Sequence, residues 1–494
     1  MLLPSFRRYR RQLRTLLSSL LLLLFLDAFM TVVSRPSTTY APLSSTSSGQ
    51  TNNMNPDQEK IFIVSVHRNT EKILRAHWND AIISLAQYFG PQNVYFSAVE
   101  SGSQDHTKDA LAELRLRLLA LGVGNEVVLG TTVKEQLREL DARPSAGGRR
   151  EDGWIWNRFE ERWDMRRIPY LSRVRNQAME PLYRLLAGEG RKFDKVLWIN
   201  DVAFDTRDIV TLLETRGGKY AAACSMDFKT PPFYYDTFAL RDDEGNKAAG
   251  DRWPWFSSHE ARWRAKRLKP TRVKSCWNGV VGFDAWPFYS VEPGKLPTWE
   301  EGAGEEEFEH WARAKNKRMA KDEAGGNTTD PERETEIHRY DSFGEHETTI
   351  AKRNQAATTP GTTHLEFRGV PDSLADLHLE GSECCLIHAD NPLSDHPDYG
   401  VWLNPNVRVG YTVPAYEAVK GGTFPRKGMD AVWGVWSNRL WRMRGTVQVS
   451  LERWTVASRL ARWKKEGLEG REERGDFCLI NEMQIMWSNG WRHL

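Results

Sequence analysis

The chain is 494 residues long, enough for two or three domains. Its 68 Lys and Arg against 66 Asp and Glu leave a formal charge of +2, so the overall balance gives no argument for a nucleic-acid partner. The 20 Trp make it aromatic-rich, which is compatible with carbohydrate work without assigning it.

The first element is a basic flank, Arg7, Arg8, Arg10, Arg11 and Arg14, ahead of the apolar run "TLLSSLLLLLFLDAFMTVVS". The run is of bilayer-spanning length, roughly 20 residues, and Asp27 is its one charged interruption. The arginines predict a cytoplasmic tail over 1–14, an uncleaved signal anchor over 15–34 and a lumenal remainder. A cleaved signal peptide fits less well, because the run is long for one and no A-x-A site follows it. Residues 35–58 are rich in Ser, Thr, Pro and Asn and are expected to form a flexible stalk. Five cysteines, Cys224, Cys276, Cys384, Cys385 and Cys478, lack a zinc spacing. In an oxidising lumen they allow one or two disulfides, with one thiol left over.

From residue 59 short β-rich runs alternate with helical periods. "IFIVSV" is a strand, and Ile73, Leu74, His77, Trp78, Ala81, Ile82 and Leu85 follow at helical spacing. "NVYFSAVES", "NEVVLG", "KVLWIND" and "YAAACSMDF" are further strands. "DALAELRLRLLALG" is a helix stopped at Gly122, and "LSRVRNQAMEPLYRLLAG" is one with a kink or break expected at Pro181. The alternation predicts an α/β fold with a mostly parallel sheet flanked by helices, and binding residues after strand ends, near His67, Glu100, Asp201 and Asp227. Residues 294–363 are charged and nearly free of aliphatics, and are expected to be a disordered surface insertion carrying the sequon at Asn327. The main domain is expected over 59–425, with a Trp/Arg-rich extension over 426–494.

The stretch "KVLWINDVAFDTRDIV" turns from four apolar residues to Asp201, Asp205 and Asp208. Carboxylates at such a strand end are helix caps or ligands for a hard cation. For Asp208 the cap is the expected role.

Six stretches in order, "RNTEKIL", "LSRVRNQAMEPL", "KVLWINDVAF", "SMDF…FYYDTFALRDDEG", "CWNGVVGFDAWPF" and "SECCLIHAD", resemble the fungal α-1,3-mannosyltransferases of glycosyltransferase family 69. The resemblance runs from about residue 59 to 415, interrupted by the insertion. It implies a GT-A-like fold, a GDP-mannose donor, a mannose-containing glycan acceptor, retention of configuration and a divalent cation, usually Mn2+. The layout of anchor, stalk and head is that expected of a single-pass type II transferase of the Golgi or ER membrane, and equally of any type II membrane protein. A metal bridging the donor diphosphate suits such a reaction, because the leaving group gains negative charge. The expected metal motif is Asp-x-Asp, and here the triplet is Asn200-Asp201-Val202. Asp201 is therefore the first cation ligand expected, with Asp205 next and His388 a late third. Asp201, Asp227 and Glu383 are expected at the reaction centre, Glu383 orienting the acceptor. Arg175 and Asn176 are expected at the donor phosphates. Asp236 and Arg241, with Tyr234 and Tyr235 nearby, are expected at sugar hydroxyls. Gly279 permits close backbone approach, and His67 with Arg68 are expected at the nucleotide. The degenerate triplet keeps a second reading open, a non-catalytic scaffold or regulator in polysaccharide assembly or export. A metal-dependent hydrolase is a weaker third, since no paired motif supplies an activated nucleophile.

Overall fold

The apolar runs become the middle of one sheet. A computed structural model describes residues 3–43, 59–130, 133–145, 150–289, 364–466, 472–487 and 490–494. The chain divides into a body, Met1–Pro287 with Leu365–Leu494, and a second unit, Phe288–His364. The expected insertion and Asn327 lie outside the described residues, and everything below concerns the body.

The sheet strands are β1 (Ile61–His67), β2 (Val94–Glu100), β3 (Gly124–Leu129), β4 (Lys195–Ile199), β5 (Ala222–Thr230), β6 (Phe233–Tyr234), β7 (Arg241–Asp242), β8 (Thr271–Ser275), β9 (Val280–Asp284) and β10 (Val401–Gly410). Their order is β3-β2-β1-β4-β9-β5-β10-β8-β7, with β6 beside β5. β1 to β4 form a parallel block, and β5 pairs in parallel with β10. β9 is antiparallel to both β4 and β5 and is wedged between them. β4 and β5 therefore point the same way, and their carboxyl ends share one edge with the start of β9.

The helices used below are α1 (Leu3–Val33), α2 (Asn79–Phe89), α3 (Thr107–Ala120), α4 (Arg167–Glu189), α5 (Thr206–Leu213), α6 (Glu383–Asp390) and α7 (Gly428–Glu466). Alternation along β1 sorts its side chains. Ile61 and Ile63 join Leu85 of α2, Leu111 and Leu114 of α3 and Leu212 of α5 in the main core. Phe62 points the other way, its ring 5.4 Å from Phe193. On that face Ser97 of β2 donates to the Ala178 carbonyl of α4 at 2.7 Å. Gly122 stops α3 with φ +81°, as expected. α4 passes through Pro181 without the expected break. The proline costs one backbone bond, but Val174, Ala178, Pro181 and Leu182 are all buried against the body, and packing outweighs the loss.

The residues expected to begin a flexible stalk are fastened instead. Arg35 Nη1 donates to the Pro425 carbonyl at 2.9 Å, and the Thr38 and Ala41 amides donate to Gly422 O and Thr211 Oγ1. The C-terminal extension is likewise woven in. Leu479–Ile480 pairs with Glu380–Gly381, and Trp463, Cys478 and Ile485 share a core with Leu374 and Leu386. Disulfides join Cys224 to Cys276 and Cys385 to Cys478, leaving Cys384 as a buried free thiol.

Candidate active site

The acidic end of β4 is held as a tight turn. The Asn200 amide donates to Gly279 O at 2.8 Å, and Trp78 Nε1 donates to Asn200 O at 2.9 Å. Trp78 reaches it from a π-helical turn, Leu74–Trp78. Asp201 follows, and burial pushes its pKa up to about 6, with Lys229 the one cation opposing the shift.

Two strands away, Asp227 is fully buried. Its Oδ1 accepts from the Asp236 amide at 3.1 Å and its Oδ2 from the Tyr411 hydroxyl at 3.0 Å. Burial, then the charge of Asp236, pushes the Asp227 pKa up to about 8. Asp236 is also raised, by burial first, and it feels Glu383 and Arg175. Tyr411 lies well above the usual phenol value because it is buried and faces Asp227, Asp201 and Asp236. At the carboxyl edge of the sheet, Asp227 thus touches the phenol directly, and Asp201 and Asp236 lie near enough for their charges to act on it. Tyr411 was missed at the sequence level. It follows β10, whose Val409 pairs with Asp227, a neighbour relation that appears only with the sheet order. The exposed ring of Tyr235 stands 4.8 Å from that of Tyr411.

Gly279 explains itself by space. Its φ is +83°, and a Cβ there would sit 2.5 Å from Val409 Cγ2 and 3.1 Å from Asp227 Cβ. Gly279→Ala is expected to destabilise the fold by about 2–4 kcal/mol, from left-handed strain plus overpacking. Thermal unfolding checks this, and an unchanged melting temperature would refute the packing argument.

Next to the carboxylates, Arg175 of α4 donates through Nε to Glu383 Oε1 at 3.1 Å. Its guanidinium lies 4.5 Å from the Trp277 ring centre and 5.3 Å from that of Trp198. Glu383 opens α6 and also accepts from the Cys384 thiol at 3.4 Å. Arg68, after β1, has Nε and Nη2 buried without a hydrogen-bond partner among the described residues. Two orphaned buried donors on a cation fit an anionic ligand.

Five expected site residues are given other work. His67 is buried with both ring nitrogens engaged, at 3.2 Å to Thr70 Oγ1 and 3.0 Å to Ser65 Oγ. Burial lowers its pKa to about 3, so it is a neutral core residue. Asn176 uses both ends of its amide on the backbone of Phe367, each at 2.9 Å. Arg241 spends its donors on four carbonyls, Phe477, Phe238, Leu240 and Cys478, between 2.8 and 3.2 Å. His388 sits against the Cys224–Cys276 disulfide, with Nε2 2.6 Å from Cys276 O and its ring stacked on Phe283. Burial lowers its pKa to about 4, and no carboxylate acts on it. The ligand atoms of Cys224, Cys276 and His388 lie within 4.8 Å of one another, but two of them are tied up in the disulfide.

Asp205 is the fifth. It caps α5, its Oδ1 accepting from the Asp208 amide while Asp208 Oδ2 accepts from the Asp205 amide, each at 3.1 Å. Asp208 belongs to this cap, as expected, with Tyr416 donating to it at 2.5 Å. Asp205→Ala is expected to cost about 1 kcal/mol, the usual worth of an N-cap. The Mn2+ dependence of turnover should not move. A shifted Mn2+ requirement would return Asp205 to the cation set.

Residues 60–390, about two thirds of the chain, match the family described as cryptococcal mannosyltransferase 1. Three solved structures resemble the fold at low identity. The mannosyltransferase PcManGT from Pyrobaculum calidifontis, in complex with GDP-Man and Mn2+, is 10% identical over 90% of this chain and 84% of its own, with a TM-score of 0.31. S. aureus TarS 1-349 in complex with UDP is 13% identical over 37% of this chain and 40% of its own, at 0.20. A mycobacterial protein is 14% identical over 52% of this chain and 65% of its own, at 0.23. No curated protein sequence matches. With the family matched across the strands and loops that carry Asp201, Asp227, Asp236 and Glu383, the chain belongs to the cryptococcal mannosyltransferase 1 family, on a mostly parallel sheet flanked by helices.

Proposed function

We propose that this protein transfers mannose from GDP-mannose to a mannose-containing glycan, with retention and in α-1,3 linkage, as a type II protein of the Golgi or ER membrane. The observation that carries the reading is the convergence of Asp201, Asp227 and Asp236 around Tyr411. Asp227 is buried, Asp201 and Asp236 are half-buried, and all three have raised pKa values that the charges of Lys229, on Asp201, and Arg175, on Asp236, only partly offset. Such a hard-oxygen set fits Mn2+ or Mg2+. Asp201 and Asp227 would hold the cation, which when bound offsets the charge gathering on the departing diphosphate.

The remaining work belongs to side chains. Arg68 binds donor phosphate oxygens through its two unpartnered N–H groups. Asp236 accepts from sugar hydroxyls, and the exposed Tyr235 ring covers a sugar face. Glu383, fixed by Arg175, orients the acceptor hydroxyl. Retention follows when that hydroxyl adds to the anomeric carbon on the face the diphosphate leaves. The new C1–O bond forms as the C1–O bond to phosphate breaks, and the hydroxyl proton passes to the departing phosphate oxygen. Glu383 acts here as an orienting group, with no base required. The two disulfides suit a head in an oxidising lumen.

The departure of Asn200-Asp201-Val202 from Asp-x-Asp favours the second reading, a non-catalytic scaffold. One assay separates the two. Full-length protein in detergent is given GDP-mannose, Mn2+ and α-linked mannobiose. The expected result is free GDP with an α-1,3-extended product, abolished by EDTA. Absence of both across mannoside acceptors and donors would leave the scaffold.

A further inference from the structure

Helix α7 has two apolar faces, and only one is covered. Ala431, Val435, Leu460 and Trp463 are buried against the body. On the opposite side Met429, Trp433, Leu440, Met443, Leu451 and Trp454 stand exposed, Trp433 at 60%, Leu440 at 50%, Leu451 at 61% and Trp454 at 70%. At about 100° per residue these six fall in one stripe roughly 80° wide and about 37 Å long. The exposed apolar residues on either side of residues 446–449 form a surface of the kind that marks an interaction site.

The position of the stripe identifies its occupant. α1 contains the one described helix long and apolar enough to cross a membrane, Tyr9–Val33, whose most apolar 18 residues have mean hydropathy 2.3 and none of them buried. Its final turns pack on the start of α7. Val32 Cγ1 lies 3.0 Å from where a Cβ on Gly428 would stand. Asp27, the charged interruption in the apolar run, is held by both Arg439 amino groups at 2.7 and 2.9 Å. Asp27 is six residues before the end of α1, roughly 9 Å along the helix axis. Pairing it brings Arg439, and Leu440 beside it, below the level where α1 ends. An interfacial helix buries its apolar face about 5–10 Å into the headgroup boundary. The stripe carries Trp433 and Trp454, and Arg444 is exposed at its edge. Tryptophan and arginine are the side chains suited to a lipid–water boundary.

We infer that α7 is a second membrane contact, an interfacial helix that lays the catalytic head flat on the bilayer beside its anchor. The inference rests on α1 crossing that bilayer. The fastening of residues 35–41 to the head agrees with it, because a head held close to the membrane has no slack at that point.

Site-directed spin labels on the full-length protein, reconstituted in phosphatidylcholine–phosphatidylserine vesicles, test this. Labels go at L440C and L451C on the stripe, at L22C on α1 as a lipid reference, and at L116C, an exposed leucine of α3, as a water reference. Unsubstituted protein treated identically supplies the background from Cys384. Collision rates with oxygen and with a water-soluble nickel chelate are compared. The labels at 440 and 451 should favour oxygen several-fold more than the label at 116. If they match 116 while 22 reads as lipid, the anchor stands and the interfacial helix is overturned. If 22 also reads as water, the anchor reading falls, and this inference with it. Dipolar broadening between labels at 440 would assign the stripe to a second copy of the chain and equally overturn it.

Discussion

Asp201→Asn should lose on the order of 100-fold or more in turnover, about 2.7 kcal/mol of transition-state stabilisation, while its metal-free melting temperature rises. The two effects have one cause. Burial lifts the Asp201 pKa to about 6, above the ordinary 3.8 of an unfolded chain. A carboxylate with a raised folded-state pKa favours folding when protonated, and it penalises folding once pH passes the folded value. At pH 7 wild type therefore carries a buried charge that Asn does not, worth about 1–3 kcal/mol. Adding Mn2+ with GDP should raise the melting temperature of wild type and leave the variant unmoved. If Asp201 were merely a cap, Asn would serve nearly as well and turnover would survive. Near-normal turnover with unchanged Mn2+ dependence removes Asp201 from the site.

Arg241→Ala should behave in the opposite way. Arg241 is buried, and burial lowers its pKa to about 10, so it stays charged at neutral pH. Its guanidinium ties β7 to the backbone of Phe477 and Cys478, beside the Cys385–Cys478 disulfide. Truncation leaves four carbonyls without their charged donor and opens a cavity. The expected loss is about 3–5 kcal/mol of stability. Turnover per folded molecule should be close to wild type, because the hydrogen bonds of Arg241 go to backbone carbonyls and Asp236 feels it only as a charge. A stable Arg241→Ala protein with a raised KM for GDP-mannose would restore Arg241 to the sugar site expected from its neighbourhood in the sequence.

The contrast between these residues shows what a linear sequence carries. β4 was legible because Val196–Ile199 has no polar residue, and a strand buried on both faces needs none. Asp201 was legible because it ends that run. Asp227 was legible in the same way, as the first carboxylate in the strand after Ala221–Ala223. Their meeting was not. It requires β9 to enter between β4 and β5, so that the two ends lie roughly 10 Å apart, two strand spacings. Tyr411 is 184 residues from its partner Asp227, and nothing local marks it. The misplaced residues share a different feature. His67, Asn176, Arg241 and His388 are polar side chains near strand ends or conspicuous motifs. The first three have their polar groups engaged by backbone or neighbouring hydroxyls, and His388 spends Nε2 on Cys276 O while its buried Nδ1 has no partner among the described residues. Sequence shows the donor but not the acceptor that consumes it. Asp205 was ambiguous by nature, since a cap and a cation ligand want the same carboxylate, and the reciprocal bonds with Asp208 decide for the cap. The stalk misled for a simpler reason. Its first residues bury little apolar surface, but their backbone groups find partners on the head.

The proposed transfer requires a cation site formed by Asp201 and Asp227 and completed by a nucleoside diphosphate. Calorimetric titration of Mn2+ into the full-length protein, with and without GDP, tests it without relying on an acceptor. One Mn2+ should bind per chain, tighter in the presence of GDP, and be lost in both Asp201→Asn and Asp227→Asn but retained in Asp205→Asn. Mn2+ binding that is indifferent to GDP, or that survives both substitutions, would contradict it.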